Sequence, residues 1–504
     1  MQVTSCDRNG TDADARKSRY NRFVVEREVD VNTPIRRFEA VANSLASAIK
    51  RGVYRPADRF PSLRQTSRAH RIALGTTLRV YGELEGRGLI EARVRSGYFV
   101  RAPRSAALKE PSRTKPSRQI SSVDVSELVF RLLDEIKGSK LVPLGSAFPS
   151  PELFPLATLG RVAASVARRL DPRSSVRDLP PGNIALRRAI AQRYWLSGCD
   201  VDAEGILITN GALEAINLCL QAVVCPGDAI AIESPTFYAT LQAIERLQLR
   251  AVEIPTDPRT GIDIDELARS LRKHNVKACV LMSAFQNPLG SSMVDEQKRE
   301  LIGLLRRHAV PLIEDDVYAE LYHSGARPRP IKAFDQTGLV MHCSSFSKSL
   351  APGFRIGWVA AGRFHERVTR LKMMTSIATA SLTQAALADY LRHFAYERHL
   401  RALRGKLVAH LQAMSAAIGA SFPAGCRVTR PLGGYFLWVQ LPHTVDSLRL
   451  HELAEREGIS VAPGPLFSAQ RGYRHCVRLN FGHPWTPEMV RAVRTLGALI
   501  RSLS

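Results

Sequence analysis

The stretch SFSKSLAPGFRIGW, residues Ser345–Trp358, follows the apolar run Leu339-Val340-Met341-His342-Cys343 and holds the most informative lysine of the chain. Lys348 is flanked by the hydroxyls of Ser347 and Ser349, and Arg355 lies seven residues on. A lysine that leaves a buried strand among hydroxyls, with an arginine in reach, suits a Schiff base to an aldehyde cofactor beside a phosphate anchor. Desolvation lowers the pKa of such an amine and frees its nucleophilic nitrogen. A lone lysine in a polar loop is more simply a solvated surface group, so its surroundings in the sequence decide.

Outward from this segment, apolar runs alternate with amphipathic helices. Gly205–Thr209 precedes a helical pattern over 212–223, Asp228–Ile232 one over 237–247, and Ala278–Met282 one over 295–308; Val310–Ile313 and Leu339–Cys343 complete the series. Continuous apolar strands separated by helices predict a mostly parallel sheet covered on both faces, an α/β fold. Ligands on such sheets bind beyond the carboxyl ends of the strands. Three further motifs fall at those ends or at a helix start: Thr209-Asn210-Gly211-Ala212-Leu213, Asn287-Pro288-Leu289-Gly290, and Glu314-Asp315-Asp316-Val317-Tyr318.

Together with the Lys348 segment, these motifs resemble fold-type I pyridoxal-phosphate aminotransferases in order and spacing, across about residues 141–504. The resemblance implies a pyridoxal 5'-phosphate cofactor held by Lys348, with Asp315 on the pyridine nitrogen so that the ring acts as an electron sink. Asp316 is the rival for that role, and the three-residue step to Tyr318 favours Asp315. The resemblance further implies that Asn287 and Tyr318 hydrogen-bond the phenolic oxygen and that Phe237 stacks on the ring. Gly211, Ala212 and Leu213 at a helix start, with Ser345, Ser347 and Arg355, would hold the phosphate. Arg478, in Cys476-Val477-Arg478-Leu479-Asn480-Phe481, matches the arginine that grips a substrate carboxylate; a salt-bridged strand arginine is the plainer alternative, as a turn cap is for Asn287. One departure is Arg177, where a tyrosine that reaches the partner subunit's phosphate is usual.

The N-terminal part has a different character. Residues 1–120 carry 25 Lys/Arg against 12 Asp/Glu within a chain of net charge +24, which points to a polyanionic partner. A helical stripe runs through Val41, Leu45, Ala48 and Ile49; a second helix follows Pro61-Ser62-Leu63-Arg64; a third, from about Gly75 to Arg87, is expected to turn Leu78, Tyr81 and Leu84 inward. Two short strands, Leu89–Arg93 and Gly97–Val100, complete a winged helix. Phe38–Val100, through FPSLRQ, TTLRVYGELEGRGLIEAR and SGYFV, resembles the GntR-type winged helix-turn-helix. Ser62 and Arg64 at a helix start suit phosphate contacts, Thr76, Thr77 and Arg79 suit base edges in the major groove, and Gly97 permits close backbone approach. Ala73 and Leu74 stand where a Ser and an Arg are usual.

Residues 1–33 lack periodicity and read as an extension, 34–101 as the winged helix, 102–122 (APRSAALKEPSRTKPSRQISS) as a flexible linker, and 123–504 as the aminotransferase-like domain, with a smaller α+β subdomain over about 386–504. The eight cysteines show no metal-site spacing, so no metal is expected, and the absence of an apolar leader suggests a cytoplasmic protein. The two halves together, with Gly145–Pro155 (GSAFPSPELFP), resemble the MocR-type regulators. That implies a homodimer reading paired half-sites in double-stranded DNA, responsive to an amine or amino-acid effector or to the cofactor, with residual transaminase activity left open. A catalytically active aminotransferase with an auxiliary DNA-binding domain is the competing class.

Overall fold

The structure, a computed structural model, describes residues 34–51, 53–54, 58–93, 96–100, 108–117, 119–136, 141–394 and 396–504. The extension expected over residues 1–33 lies outside them. The chain divides into two compact units, Met1–Ser105 and Ala106–Ser504.

In the first unit, helices Pro34–Lys50, Leu63–His70 and Leu74–Gly86 are followed by the antiparallel pair β1 (Ile90–Arg93) and β2 (Gly97–Val100). Ser62 caps the second helix: its hydroxyl accepts from Gln65 N while the Gln65 side chain accepts from Ser62 N. This reciprocal arrangement satisfies two donors that a helix start leaves free. Val41, Leu45, Phe60, Val80, Tyr81, Leu84, Ile90 and Val100 form the core. Tyr81 brings a polar end into it, satisfied by donation to Pro61 O at 2.6 Å and a contact with Thr66 Oγ1 at 2.7 Å.

Two expectations for the third helix are overturned. Leu78, expected inside, is 56% exposed, and Thr77, expected to face DNA, is completely buried with its hydroxyl donating to Ala73 O at 3.2 Å. The cause is helical phase. Val80, Tyr81 and Leu84 set the buried stripe, and steps of three, four and seven back from them reach Thr77 rather than Leu78.

The second unit is built on a nine-stranded sheet. Its strands are β3 (Ser121–Ser122), β4 (Ile206–Thr209), β5 (Ala229–Ser234), β6 (Arg250–Asp257), β7 (Gly261–Ile262), β8 (Val276–Leu281), β9 (Leu312–Asp315), β10 (Val340–Ser345) and β11 (Gly357–Ala360). The order is β3-β6-β5-β8-β9-β10-β11-β4, with β7 paired to β6. Strands β6, β5, β8, β9 and β10 pair in parallel, and β11 runs antiparallel between β10 and β4. Ile230 and Ile232 join one apolar cluster while Ala229 and Ala231 join another, so both sheet faces are covered. The helices expected near 212–223, 237–247 and 295–308 occur as Ala212–Val223, Tyr238–Arg246 and Asp295–Arg307. A second, antiparallel sheet has the order β12 (Arg427–Val428), β13 (Phe436–Gln440), β15 (Cys476–Asn480), β14 (Ala462–Pro463). The segment near Val142–Leu144 joins this part too, through Val142 N to Gly458 O at 2.8 Å and Asn480 N to Leu144 O at 2.7 Å.

The linker expected over 102–122 is shorter than its composition suggests. From Leu108 the described backbone lies on the second unit. Val428 N donates to Lys109 O at 2.9 Å, Thr114 N to Thr256 O at 3.1 Å, and β3 pairs with β6. A Pro/Ser-rich segment without an apolar stripe still carries backbone donors and acceptors, and Val428 of β12 and the open edge of β6 satisfy some of them.

Candidate functional site

Strand register assembles the site. Ser345 stands beside Gly357, and Gly357 beside Thr209, so three adjacent strands end on one rung. Asp315, last residue of β9, is level with Cys343 of β10. Lys348 follows in the turn that leads from β10 into β11, which places it over the same strand ends.

A cradle of small residues and one arginine lies at that rung. Gly211 adopts φ +85° at the start of helix Ala212–Val223, a left-handed conformation that favours glycine. A Cβ on Gly211 would lie 2.5 Å from Arg355 Nη2, so the guanidinium rests directly on the bare backbone. Arg355 Nη1 donates to Ser347 Oγ at 3.2 Å, and Ser347 N to Ser345 Oγ at 3.4 Å. Backbone N–H groups at a helix start, two hydroxyls and a guanidinium make an anion site. Ala212 and Leu213 are the first helical residues there, Ala212 buried and Leu213 with an exposed side chain.

Beyond the cradle, Asp315 is buried and its Oδ1 has no hydrogen-bond partner. Burial pushes its carboxyl up to about 7, with Asp316 adding to the rise, while Val317 N–H and the Lys348 charge oppose it. Such an orphaned oxygen calls for a cationic donor. Asp316 points elsewhere. Its Oδ2 accepts from Arg327 Nη2 at 3.0 Å and contacts His342 Nε2 at 3.0 Å, its Oδ1 is unpartnered like that of Asp315, and His342 Nδ1 meets Tyr194 Oη at 2.7 Å.

Burial brings the Lys348 amine down to about 7; the positive charges of Arg478 and Arg355 work the same way and Asp315 against them. Its Nζ donates to Ala147 O at 3.1 Å and lies 4.2 Å from the centre of the Phe148 ring. Asn287 Nδ2 donates to Tyr318 Oη at 3.3 Å, and Arg478 Nη1 to Asn287 Oδ1 at 3.1 Å. Arg478 is buried against the Phe436 ring, its Nη2 donates to Gly145 O at 2.8 Å, and its Nε is unpartnered. It is therefore not the salt-bridged surface arginine that its strand position also allowed. Phe237 is half-buried and caps helix Tyr238–Arg246, its ring 4.5 Å from that of Tyr238.

Residues given no role from sequence also reach this place. Gly145, Ala147 and Phe148 form a strap whose carbonyls take the hydrogen bonds of Arg478 and Lys348, and Tyr435 Oη donates to Ala147 O at 3.1 Å. Asn480 holds the strap by donating to Ser146 O at 2.9 Å and Phe148 O at 2.8 Å. Only the GSAFPSPELFP wording hinted at it, since backbone carbonyls leave no residue-type signature. Arg177 is exposed and pairs with Asp171 at 2.9 Å. In the first unit Ser62, Arg64, Arg79 and Gly97 are exposed and Thr76 is half-buried, so only Thr77 is withdrawn from the candidate surface; Arg79 lies 5.0 Å from the Phe38 ring.

Residues 156–496 match the family described as aminotransferase class I and II. The chain belongs to that family. It also belongs with the HTH-type transcriptional regulators: it is 42% identical over 468 residues to the uncharacterized HTH-type transcriptional regulator YdcR of Escherichia coli K12, covering 93% of this chain and 99% of YdcR. That match is longer than the unit Ala106–Ser504 and so extends into the winged helix. Among solved structures, the multiple substrate aminotransferase of Thermococcus profundus is 31% identical with a TM-score of 0.68, covering 75% of this chain and 95% of that one. LysN, an α-aminoadipate aminotransferase of Thermus thermophilus solved with N-(5'-phosphopyridoxyl)-L-leucine, is 26% identical with a TM-score of 0.68, covering 74% and 94%. Among the described residues, no helix is long and apolar enough to cross a membrane, and no group of three His, Cys, Asp or Glu could hold a metal ion.

Proposed function

We propose that this family member is a cytoplasmic DNA-binding transcriptional regulator whose aminotransferase-like domain holds pyridoxal 5'-phosphate through Lys348 and senses an amine or amino acid there. One observation carries the reading. In a chain whose N-terminal unit carries a winged helix, a depressed lysine, an orphaned carboxylate oxygen, an anion cradle and a buried arginine converge on one end of a parallel sheet. The domain division that goes with it is a DNA-binding unit to about residue 101, a short connection, and the aminotransferase-like domain, with its smaller subdomain taking in the strap near Gly145.

The residues present fit the cofactor: the unpartnered Asp315 Oδ1 suits a protonated ring nitrogen, and the Gly211–Arg355 cradle suits a phosphate. When bound, pyridoxal 5'-phosphate supplies an aldehyde that reacts with amines and a ring that withdraws electrons. Gly211, Ala212, Leu213, Ser345, Ser347 and Arg355 would hold its phosphate; Asp315 would keep the ring nitrogen protonated; Asn287 and Tyr318 would orient the phenolic oxygen; Phe237 would stack on the ring. Lys348 supplies the uncharged amine. Arg478 grips an effector carboxylate, for which its unpartnered Nε–H is the available donor beside the Nη2 that donates to Gly145 O. An effector acts by binding the two arrangements of the strap and domain unequally, and only that difference reaches the winged helix. A homodimer places two such helices on paired half-sites, and Arg177 is the candidate to reach the partner's phosphate cradle.

Uptake of pyridoxal 5'-phosphate by the apoprotein is expected to speed up as pH rises through about 7, because the Lys348 amine loses its proton there rather than in the ordinary lysine range. Arg478→Met removes a charge that depresses this amine and should move the midpoint upward, as stopped-flow absorbance would measure.

The DNA role is tested through the exposed Arg64. Arg64→Ala should weaken operator binding and reduce the slope of log K against log salt by about 0.9, one phosphate contact, in fluorescence-anisotropy titrations. An unchanged slope would count against it. The completeness of the cofactor site favours a second reading, an active aminotransferase with an auxiliary DNA-binding unit. Steady conversion of an amino acid and a keto acid without selective DNA binding would select it.

A further inference from the structure

The third helix of the winged unit buries Thr77, Val80, Tyr81 and Leu84 and presents Leu74, Gly75, Leu78 and Gly82 on its outer side. Among the described residues of this unit the exposed large apolar side chains are Val53, Leu74 at 49% and Leu78 at 56%, so two of the three stand one turn apart on this face. A methyl group on Gly75 or Gly82 would meet nothing within 4 Å. Packing therefore does not require glycine at either place, although glycine is a poor helix former. The result is a face of low relief at Gly75 and Gly82, from which Leu74 and Leu78 project as its large apolar side chains, with Arg79 and Glu85 exposed beside them.

The surroundings of this face are cationic. Residues 34–100 hold thirteen Lys/Arg against five Asp/Glu. Arg64, Arg68, Arg71 and Arg79 are exposed on or beside this helix. Its acids are confined to the last turns, where Glu83 pairs with Arg87 at 2.9 Å and Glu85 accepts from Ala92 N at 3.2 Å. An apolar face with exposed arginines on its own helix and on the preceding one complements a groove between phosphate chains better than it does another protein's apolar surface. In the major groove a side chain with no donor or acceptor recognises one feature, the C5 methyl group of thymine.

We propose that Leu74 and Leu78 are specificity-determining residues that read thymine methyl groups, so that each half-site of the DNA bound by this protein depends on thymines at two positions. The inference rests on the DNA-binding reading above and deepens it. Gly75 and Gly82 let the helix axis sit close enough for the short leucine side chains to reach the methyl groups, and the arginines hold the flanking phosphates.

The test uses the full-length protein. Duplexes are selected from a randomised library at fixed salt, and the affinity of the selected duplex is then measured with each thymine replaced singly by deoxyuridine, which removes the methyl group and leaves pairing intact. Loss of one buried methyl is expected to weaken wild-type binding about fourfold at two positions per half-site. Leu74→Ala and Leu78→Ala, at exposed sites that tolerate truncation, should each abolish the deoxyuridine effect at one of those positions. Selective binding that is insensitive to every deoxyuridine overturns the inference and leaves the DNA-binding reading standing. A library that yields no enriched sequence removes both. A change in oligomeric state of the leucine variants without altered deoxyuridine sensitivity assigns the face to protein contact and equally overturns the inference.

Discussion

Lys348→Ala is expected to abolish covalent retention of pyridoxal 5'-phosphate and to weaken its binding by at least about a hundredfold, roughly 2.7 kcal/mol. The lysine is the amine in reach of Asp315 and of the anion cradle, whereas the neighbouring Arg355 and Arg478 carry guanidinium groups that stay protonated and Asn287 an amide that is not nucleophilic. Its loss should cost the fold little. Lys348 makes one hydrogen bond, to Ala147 O, and packs under Phe148, and its desolvated amine is itself a burden on the folded state. Thermal denaturation of the apoprotein should therefore be nearly unchanged while the cofactor's absorbance is lost. Borohydride reduction followed by denaturing mass spectrometry separates the cases: wild type keeps an added cofactor mass, the variant does not. A variant that retains the added mass would place the attachment on another residue.

The second large effect is steric. A Cβ on Gly357 would sit 2.4 Å from Gly211 C and 2.7 Å from Ala212 N, with backbone as every one of its nearest neighbours. No rotamer change relieves that contact, so Gly357→Ala must push β11 away from the turn between β4 and helix Ala212–Val223, the part of the cradle proposed above to hold the phosphate. Overpacking of this kind costs about 1–3 kcal/mol, and we expect a loss of that size in urea denaturation together with at least a tenfold loss of cofactor affinity. Gly405→Ala is the control: it lies in helix Tyr396–Ser421 with nothing within 4 Å of the added methyl, and it should raise stability by about 0.5–1 kcal/mol and leave cofactor binding unchanged. Equal responses at the two glycines would refute the steric account.

Much of the site was legible because its chemistry is carried by residue types at fixed distances from strand ends. Lys348, Asp315, Arg355 and Gly211 each follow or start an element whose apolar pattern is unambiguous, and a parallel sheet brings those ends together whatever the details of its helices. The rivalry between Asp315 and Asp316 was not resolvable that way. Adjacent residues at a strand end point to opposite faces: Asp316 turns its Oδ2 to Arg327 and His342, whereas Asp315 lies within electrostatic reach of Lys348, and that placement rather than the orphaned Oδ1 the two share favours Asp315. The strap was invisible for another reason. Gly145 and Ala147 act through carbonyl oxygens, which every residue possesses.

The amino-acid sequence by itself determined the two-part architecture and the alternation of strand and helix, and singled out Lys348 as the candidate lysine, because these follow from periodicity and local chemistry over a few residues. Tertiary structure alone decided the helical phase that buries Thr77 and exposes Leu78, the docking of Thr114 and of Ser121–Ser122 on β6, and the strap closing over Lys348. Each of these depends on which of several locally acceptable surfaces finds a partner, and that partner can lie tens to hundreds of residues away in the chain.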